Sequence, residues 1–265
     1  MPHNAREVLA MAQAARRMPA REAEYRNLIL NQRVETSSPF ISAAVWKACS
    51  SPVGSLDGIP VYGGLDLSAV SDLTALVLIG WRDGKWRVQP TFWLPSEGLA
   101  EKAVAERMPY DLWHAQGHLQ LTPGKTVSYE FVAHYLRRMF ERYDVQKLAF
   151  DRWNFRHLLP WLLRAGFSEQ LVRERFVEFG QGVASMSPAL RDLEQVLLEG
   201  NLAHGGHPIL SMCVSHTVIA LDDAGNRKPS KRKSTAKIDG LVALTMAIGV
   251  APLQAKRIDI ETLIA

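Results

Sequence analysis

Three acidic residues stand where a folded chain has little use for a bare charge. Asp66 interrupts an apolar run between Leu65 and Leu67, Asp151 closes the short apolar segment LAFD, and Asp239 opens the apolar stretch DGLVALTMAIGV. An ionised carboxylate in such surroundings is costly unless a cation or hydrogen-bond donors meet it. Acids from distant stretches, brought together at the ends of neighbouring strands, are how proteins hold hard divalent cations such as Mg²⁺ and Mn²⁺. Two such ions about 3.5 to 4 Å apart activate water and stabilise the leaving oxygen in phosphodiester hydrolysis. Each acid also has a plainer explanation. Asp239 suits a helix N-terminus through the macrodipole, Asp151 has Arg152 and Arg156 nearby, and Asp66 has Ser68 for a turn. Singly, the plainer explanations are favoured; as a trio, a site is. Asp72 is a further candidate ligand, but its place in the SAVSD loop favours turn chemistry.

The charge is as localised as the acids are dispersed. The 265 residues carry 31 Lys and Arg against 27 Asp and Glu. Six of the basic residues, Arg227, Lys228, Lys231, Arg232, Lys233 and Lys237, fall in one stretch without an acid, and without them 25 basic residues would face 27 acidic ones. One loop makes the protein basic, which points to a polyanion such as nucleic-acid phosphate or to a merely solvated charge run. The two cysteines, Cys49 and Cys213, read as free thiols, no apolar run approaches the length of a membrane span, and the N-terminus is too charged and too broken for a secretory signal.

The elements that must position these residues begin near Ile59. Residues 1–57 read as a helical, Arg-rich stretch to about Arg33 and then an irregular segment in need of a partner surface. Residues 58–252 form the main domain, and 253–265 a tail. PVYGGLDLS, LTALVLIGW and KWRVQPTFWL, the last two joined at Asp83-Gly84, predict three antiparallel strands. A helix follows from a Ser128 cap with Phe131, Val132, Tyr135, Leu136, Met139 and Phe140 on one face. Then come strand KLAFD, a helix over 155–164, strand RFVEFG, a helix opened by Ser187-Pro188, the HGGHPIL segment with a strand-like PILSM, a possible strand from Thr217 to Leu221, and the final helix of KIDGLVALTMAIGV. This predicts an α/β fold: a ribonuclease H-like mixed β-sheet of three antiparallel strands and then alternating helices and strands, flanked by helices, with the first and fourth strands adjacent at the centre.

Other motifs lead less far. LTPGKT at 121–126 lacks the first glycine of a phosphate-binding loop and reads as a loop before a helix. His204, His207, Cys213 and His216 are spaced awkwardly for zinc. His204 or His207 is expected near the acids. Most of the seven tryptophans read as packing residues. Trp153, two positions after Asp151, is a groove candidate for which sheet packing is favoured.

YGGLDLSAVSDLTAL, LAFDRWN, HGGHPIL and DDAGNRKPSKRKSTAKIDGLVALTMAIG together resemble the C-terminal nuclease domain of phage terminase large subunits, over about residues 60–250. REAEYRNLILNQRVE and AAVWKAC resemble, more weakly, the connection from the family's ATPase domain. The resemblance implies an Mg²⁺- or Mn²⁺-dependent endonuclease that cuts concatemeric double-stranded DNA during genome packaging, in the host cytoplasm, with two ions on Asp66, Asp151 and Asp239. It implies that Lys237, just before the last ligand, meets a phosphate, that Gln181 and Gly182 shape the groove, and that the portal protein and small terminase subunit are partners; the charge pattern itself leads one to expect DNA contacts from Arg227, Lys228, Lys231, Arg232, Lys233, Lys237 and Arg152. The family's ATPase motif, G-x-x-x-x-G-K-[ST], does not occur in this sequence, and His216 stands where Asn is more usual in similar sequences. Rival readings are another ribonuclease H-like nuclease, transposase or resolvase, or a non-catalytic DNA clamp or portal-docking module.

Overall fold

The computed structural model describes residues 5–17, 25, 29, 40–68 and 72–253. Most of REAEYRNLILNQRVE, and the tail from 254 onward, lie outside them. Helix α1 (Ala5–Arg17) lies within the stretch expected to be helical to about Arg33, of which most of the remainder falls outside the described residues. The segment expected to be irregular contains α2 (Ala43–Ala48), where the Ser42 hydroxyl accepts the Val45 N–H at 3.2 Å. Its buried Trp46 stacks on His204 and donates to the Ser211 hydroxyl at 3.0 Å. Phe40, Ile41 and Cys49 join the same core. Far later parts of the chain supply the surface this segment needs, and local sequence carries no sign of them.

Strands β1 (Pro60–Asp66), β2 (Thr74–Arg82) and β3 (Lys85–Pro95) form the predicted antiparallel meander. Asp83 and Gly84 both take positive φ, 51° and 76°, as the tight hairpin turn that matches strand twist requires. Then come α3 (Leu99–Glu106), α4 (Tyr110–Ala115) and β4 (Gln120–Thr122). LTPGKT therefore begins in a short strand and not wholly in a loop, because Gln120–Thr122 pair in parallel with Trp93–Pro95 at the edge of β3. Helix α5 (Tyr129–Arg142) buries Val132, Ala133 and Leu136, but Phe131, expected on that face, is exposed. It falls on the rim of the stripe centred on Val132 and Leu136.

Strand β5 (Asp144–Phe150) leads into α6 (Arg152–Arg164), α7 (Glu169–Arg175) and β6 (Phe176–Glu178). Helix α8 (Val183–Leu198) starts earlier than Ser187-Pro188 suggested and carries Pro188 inside, at the cost of one intrahelical bond. After β7 (Leu202–Ala203) the apolar PILSM is not a strand but the body of α9 (Pro208–Ser215). Ile209, Leu210, Met212, Cys213 and Val214 are all buried, and a helix buried on every side has no periodicity to distinguish it from a core strand. The basic stretch is not all loop: Arg227–Pro229 is β9, paired with β8 (Ile219–Leu221) in a separate hairpin. Helix α10 (Asp239–Val250) ends the described fold and is buried from Asp239 to Ile248.

Among the described residues the main sheet runs β4-β3-β2-β1-β5-β6, with β7 against the other end of β3. The first strand and the strand ending before Asp151 lie side by side in parallel at the centre, as expected. One core lies under α8, α9 and α10, and a second under α5, α6 and α7, so helices cover both faces.

Candidate active site

The parallel register of β1 and β5 sets Leu65 beside Phe150, and the next residues on the two chains are Asp66 and Asp151. Both come to one end of the sheet, where strand termini in α/β folds gather ligands. Helix α10 is pressed onto β1 at Gly64, where an added Cβ would lie 2.0 Å from the Ala243 carbonyl oxygen. That approach carries Asp239, the first residue of α10, to the same place. Asn154 donates to the Leu67 carbonyl at 2.7 Å, and the Tyr129 hydroxyl to the Ser68 carbonyl at 2.6 Å, holding the chain as it leaves Asp66.

Asp66 and Asp239 are buried, at 3% and 5% exposure. Between them stands Lys231, its Nζ 2.8 Å from Asp66 Oδ2 and 2.7 Å from Asp239 Oδ1. Gln181, in the turn after β6, donates its side-chain amide to Asp66 Oδ1 at 2.9 Å. Burial pushes the Asp66 carboxyl up to about 6, against the pull of the Lys231 charge and with the repulsion of Asp239. Burial also opposes the charge on Lys231, but Asp66 and Asp239 outweigh it and raise the ammonium above its ordinary range. Asp66 does not cap a turn through Ser68, whose N–H goes to the Thr74 hydroxyl. Asp151 instead caps α6, its Oδ1 accepting the Trp153 N–H at 3.1 Å.

Two of the three predicted acids are thus brought onto one cation, and the third stands at the adjoining strand end with its carboxylate turned to a helix terminus. Among the described residues no three His, Cys, Asp or Glu side chains are gathered into a metal cluster in this arrangement. The donor set nevertheless fits a hard divalent ion. Two desolvated carboxylates already aim an oxygen each at one cationic atom, which acts as a stand-in ion, and Asp151 can supply a further oxygen from the next strand.

Beside the acids lies a groove of about 440 Å³ whose lining includes Asp72, Glu106, Lys231, Lys237 and Asp239. Lys237 is bonded to Asp72 and lies 3.6 Å from Glu106. Asp72 is therefore an ion-pair partner, with Lys237 drawing its carboxyl below the usual range although partial burial acts the other way. The six cations of the basic stretch separate into distinct roles. Arg227 pairs with Glu194 at 2.5 Å, Lys231 and Lys237 meet acids, Lys228 is half-buried, and Arg232 and Lys233 are exposed. Arg152 reaches Glu178 at 3.7 Å and lies over the Trp153 ring. Trp153 is 67% exposed, so the packing favoured from sequence is corrected: in the first turn of α6 this residue points outward, two positions after Asp151. Trp46, Trp86, Trp93 and Trp113 are buried as expected.

His204 does not approach the acids. It follows β7, which pairs with Trp86–Arg87 at the end of β3 opposite to the position aligned with Asp66. Its ring donates to the Trp46 carbonyl at 2.8 Å and accepts the Gly206 N–H at 3.1 Å. His207 caps α9 and packs edge-on against His118. Cys49 and Cys213 are free, buried thiols, both raised above the ordinary value by burial. Sequence reasoning placed Lys231 among phosphate-binding cations and missed its contact with the two acids. Nothing in its local pattern distinguishes it from Arg232 or Lys233. Glu106, the second partner of Lys237, was also missed; it lies in a helix not recognised from sequence.

A model of the family described as terminase large subunit, endonuclease domain, matches residues 4–254. The chain is 44% identical over 253 residues to the large terminase subunit of Enterobacteria phage HK97, covering 93% of this chain and 48% of that protein. It is also similar to the crystal structure of the HK97 bacteriophage large terminase, with a TM-score of 0.75 and 43% identity over 94% of this chain and 51% of that one. The large terminase nuclease of thermophilic phage G20c shares the fold at 10% identity, with a TM-score of 0.52 over 78% of this chain and 96% of that one. The chain spans about half the length of the curated relatives it matches. A family match across nearly the whole chain, the ribonuclease H-like sheet order and the shared terminase nuclease fold lead to one conclusion: the chain belongs to the family of terminase large subunit endonuclease domains.

Proposed function

We propose that this chain is a divalent-metal-dependent endonuclease that cuts concatemeric double-stranded DNA during phage genome packaging, with Asp66, Asp151 and Asp239 holding two Mg²⁺ or Mn²⁺ ions. The observation that carries this reading is the convergence of the buried Asp66 and Asp239 carboxylates on one cation position at the sheet end where Asp151 also stands. Bound there, divalent ions would polarise the scissile phosphate and lower the pKa of the attacking water. The chain's own residues orient this chemistry. Gln181 fixes one oxygen of Asp66 and leaves the other on the cation position shared with Asp239. Asn154 and Tyr129 hold the end of β1 in place. Arg232, Lys233, Lys228 and Arg152 offer positive charge for the DNA backbone beside the acids, and Lys237 contributes at the groove wall.

In this reading residues 1–57 are the connection from an ATPase domain, 58–252 the nuclease and 253–265 a tail. Portal protein, small terminase subunit and host cytoplasm are the proposed setting. No helix of the described residues is long and apolar enough to cross a membrane. The test is incubation of supercoiled plasmid with the purified protein and MnCl₂, MgCl₂ or EDTA, beside Asp66→Ala. Nicking and linearisation that require metal and disappear in the variant support the reading. DNA binding without cleavage at any metal concentration would favour a clamp or docking module instead.

A further inference from the structure

We infer that Lys231 is an internal counter-cation that competes with the divalent ion for Asp66 and Asp239, so that metal entry requires this side chain to leave. The inference rests on the proposed function, in that it takes these two acids as the metal's ligands. The geometry allows one occupant at a time. An ammonium 2.7 to 2.8 Å from an oxygen of each carboxylate takes the oxygen lone pairs that a hard cation needs. The acids, with 4% and 6% of their side-chain surfaces exposed, meet no other cation at this distance among the described residues, whereas half of the Lys231 side chain is exposed and faces a way out. Lys231 lies just past β9, beside the exposed Arg232 and Lys233. Once displaced, it joins the cations that face the DNA phosphates. A phosphate that captures Lys231 therefore bares the two acids for metal, and metal that expels Lys231 adds a positive charge for DNA. By linkage, each ligand strengthens the other. Without DNA the site is held closed by its own lysine. Lys237, engaged with Asp72 and Glu106, is not part of this exchange.

Calorimetric titration of the metal-free protein with Mn²⁺ in the absence of DNA tests the exchange without reference to cleavage, using wild type, Lys231→Met, Lys231→Arg and Asp66→Asn. Lys231→Met is expected to bind Mn²⁺ about 10-fold or more tightly than wild type, within the usual range of coupling between linked ligands. Lys231→Arg, which keeps a cation there, should stay within about threefold of wild type on the same grounds. Asp66→Asn should lose the site. Equal or weaker binding by folded Lys231→Met, with Asp66→Asn still defective, overturns the inference and leaves the proposed function standing. No Mn²⁺ binding by wild type or by Lys231→Met overturns both. If Lys231→Met does not fold without metal, circular dichroism replaces calorimetry: folding driven by Mn²⁺ below the wild-type Kd supports the exchange, and failure to fold at any Mn²⁺ concentration overturns it.

Discussion

Gly64 and Ala243 meet backbone to backbone: a Cβ on Gly64 would stand 2.0 Å from the Ala243 carbonyl oxygen. Through this contact α10 lies directly on β1, and the strand's Asp66 and the helix's Asp239 share one end of the fold. Gly64→Ala must push helix from strand. It is expected to cost at least about 2 kcal/mol of stability, read as a lowered Tm, and to reduce cleavage in whatever fraction still folds.

Removal of a single acid should be felt in the chemistry before the fold. Asp66→Ala leaves Lys231 paired with Asp239, and Asp239→Ala leaves it paired with Asp66. Each is expected to stay folded by circular dichroism and to lose metal-dependent plasmid cleavage by about a hundredfold or more. Asp151→Asn should do the same in cleavage. A folded Asp151→Asn protein that cuts at the wild-type rate would remove Asp151 from the site.

The basic stretch is expected to divide by structure and not by charge. Arg232→Ala and Lys233→Ala, at exposed positions, should each lower the slope of log DNA affinity against log salt by about 0.9. Arg227→Ala, which breaks the pair with Glu194, should leave that slope nearly unchanged and cost about 1 kcal/mol of stability. Fluorescence anisotropy at several salt concentrations, beside thermal melts, separates the two behaviours.

Trp153 is the large aromatic side chain turned outward beside Asp151. Its replacement by Ala should change stability by no more than about 0.5 kcal/mol while weakening duplex binding several-fold. Trp153→Phe should recover most of the loss. Unchanged binding by Trp153→Ala would take this residue out of the groove.

His207 gives the fold an acid-side sensitivity that does not involve the three candidate acids. Burial lowers its pKa to about 4, and the nearby His118 adds to the effect. The unfolded chain takes up this proton near the usual 6.5. Stability is therefore fully present above pH 6.5 and falls as pH drops through the window down to about 4, on the order of 3 kcal/mol in all. His207→Asn keeps an N-cap acceptor without a titrating ring and should flatten that part of a Tm-against-pH curve.

What the chain determines locally is what local physics can read. Alternation and Asp-Gly mark β1 to β3, a buried apolar run ending in an acid marks β5, and apolar residues around isolated charges mark Asp66, Asp151 and Asp239. Where hydrophobicity is uniform or rests on distant partners, local reading fails. PILSM, buried on all sides, gave no period by which to tell helix from strand, and the helix of Trp46 depends on His204 and Ser211. Only the tertiary structure decided that Lys231, among similar cations, lies between Asp66 and Asp239, 165 and 8 residues away in the chain. Charge density along a sequence counts cations. Which of them meets a buried carboxylate depends on where a hairpin and a helix are packed against the end of a strand.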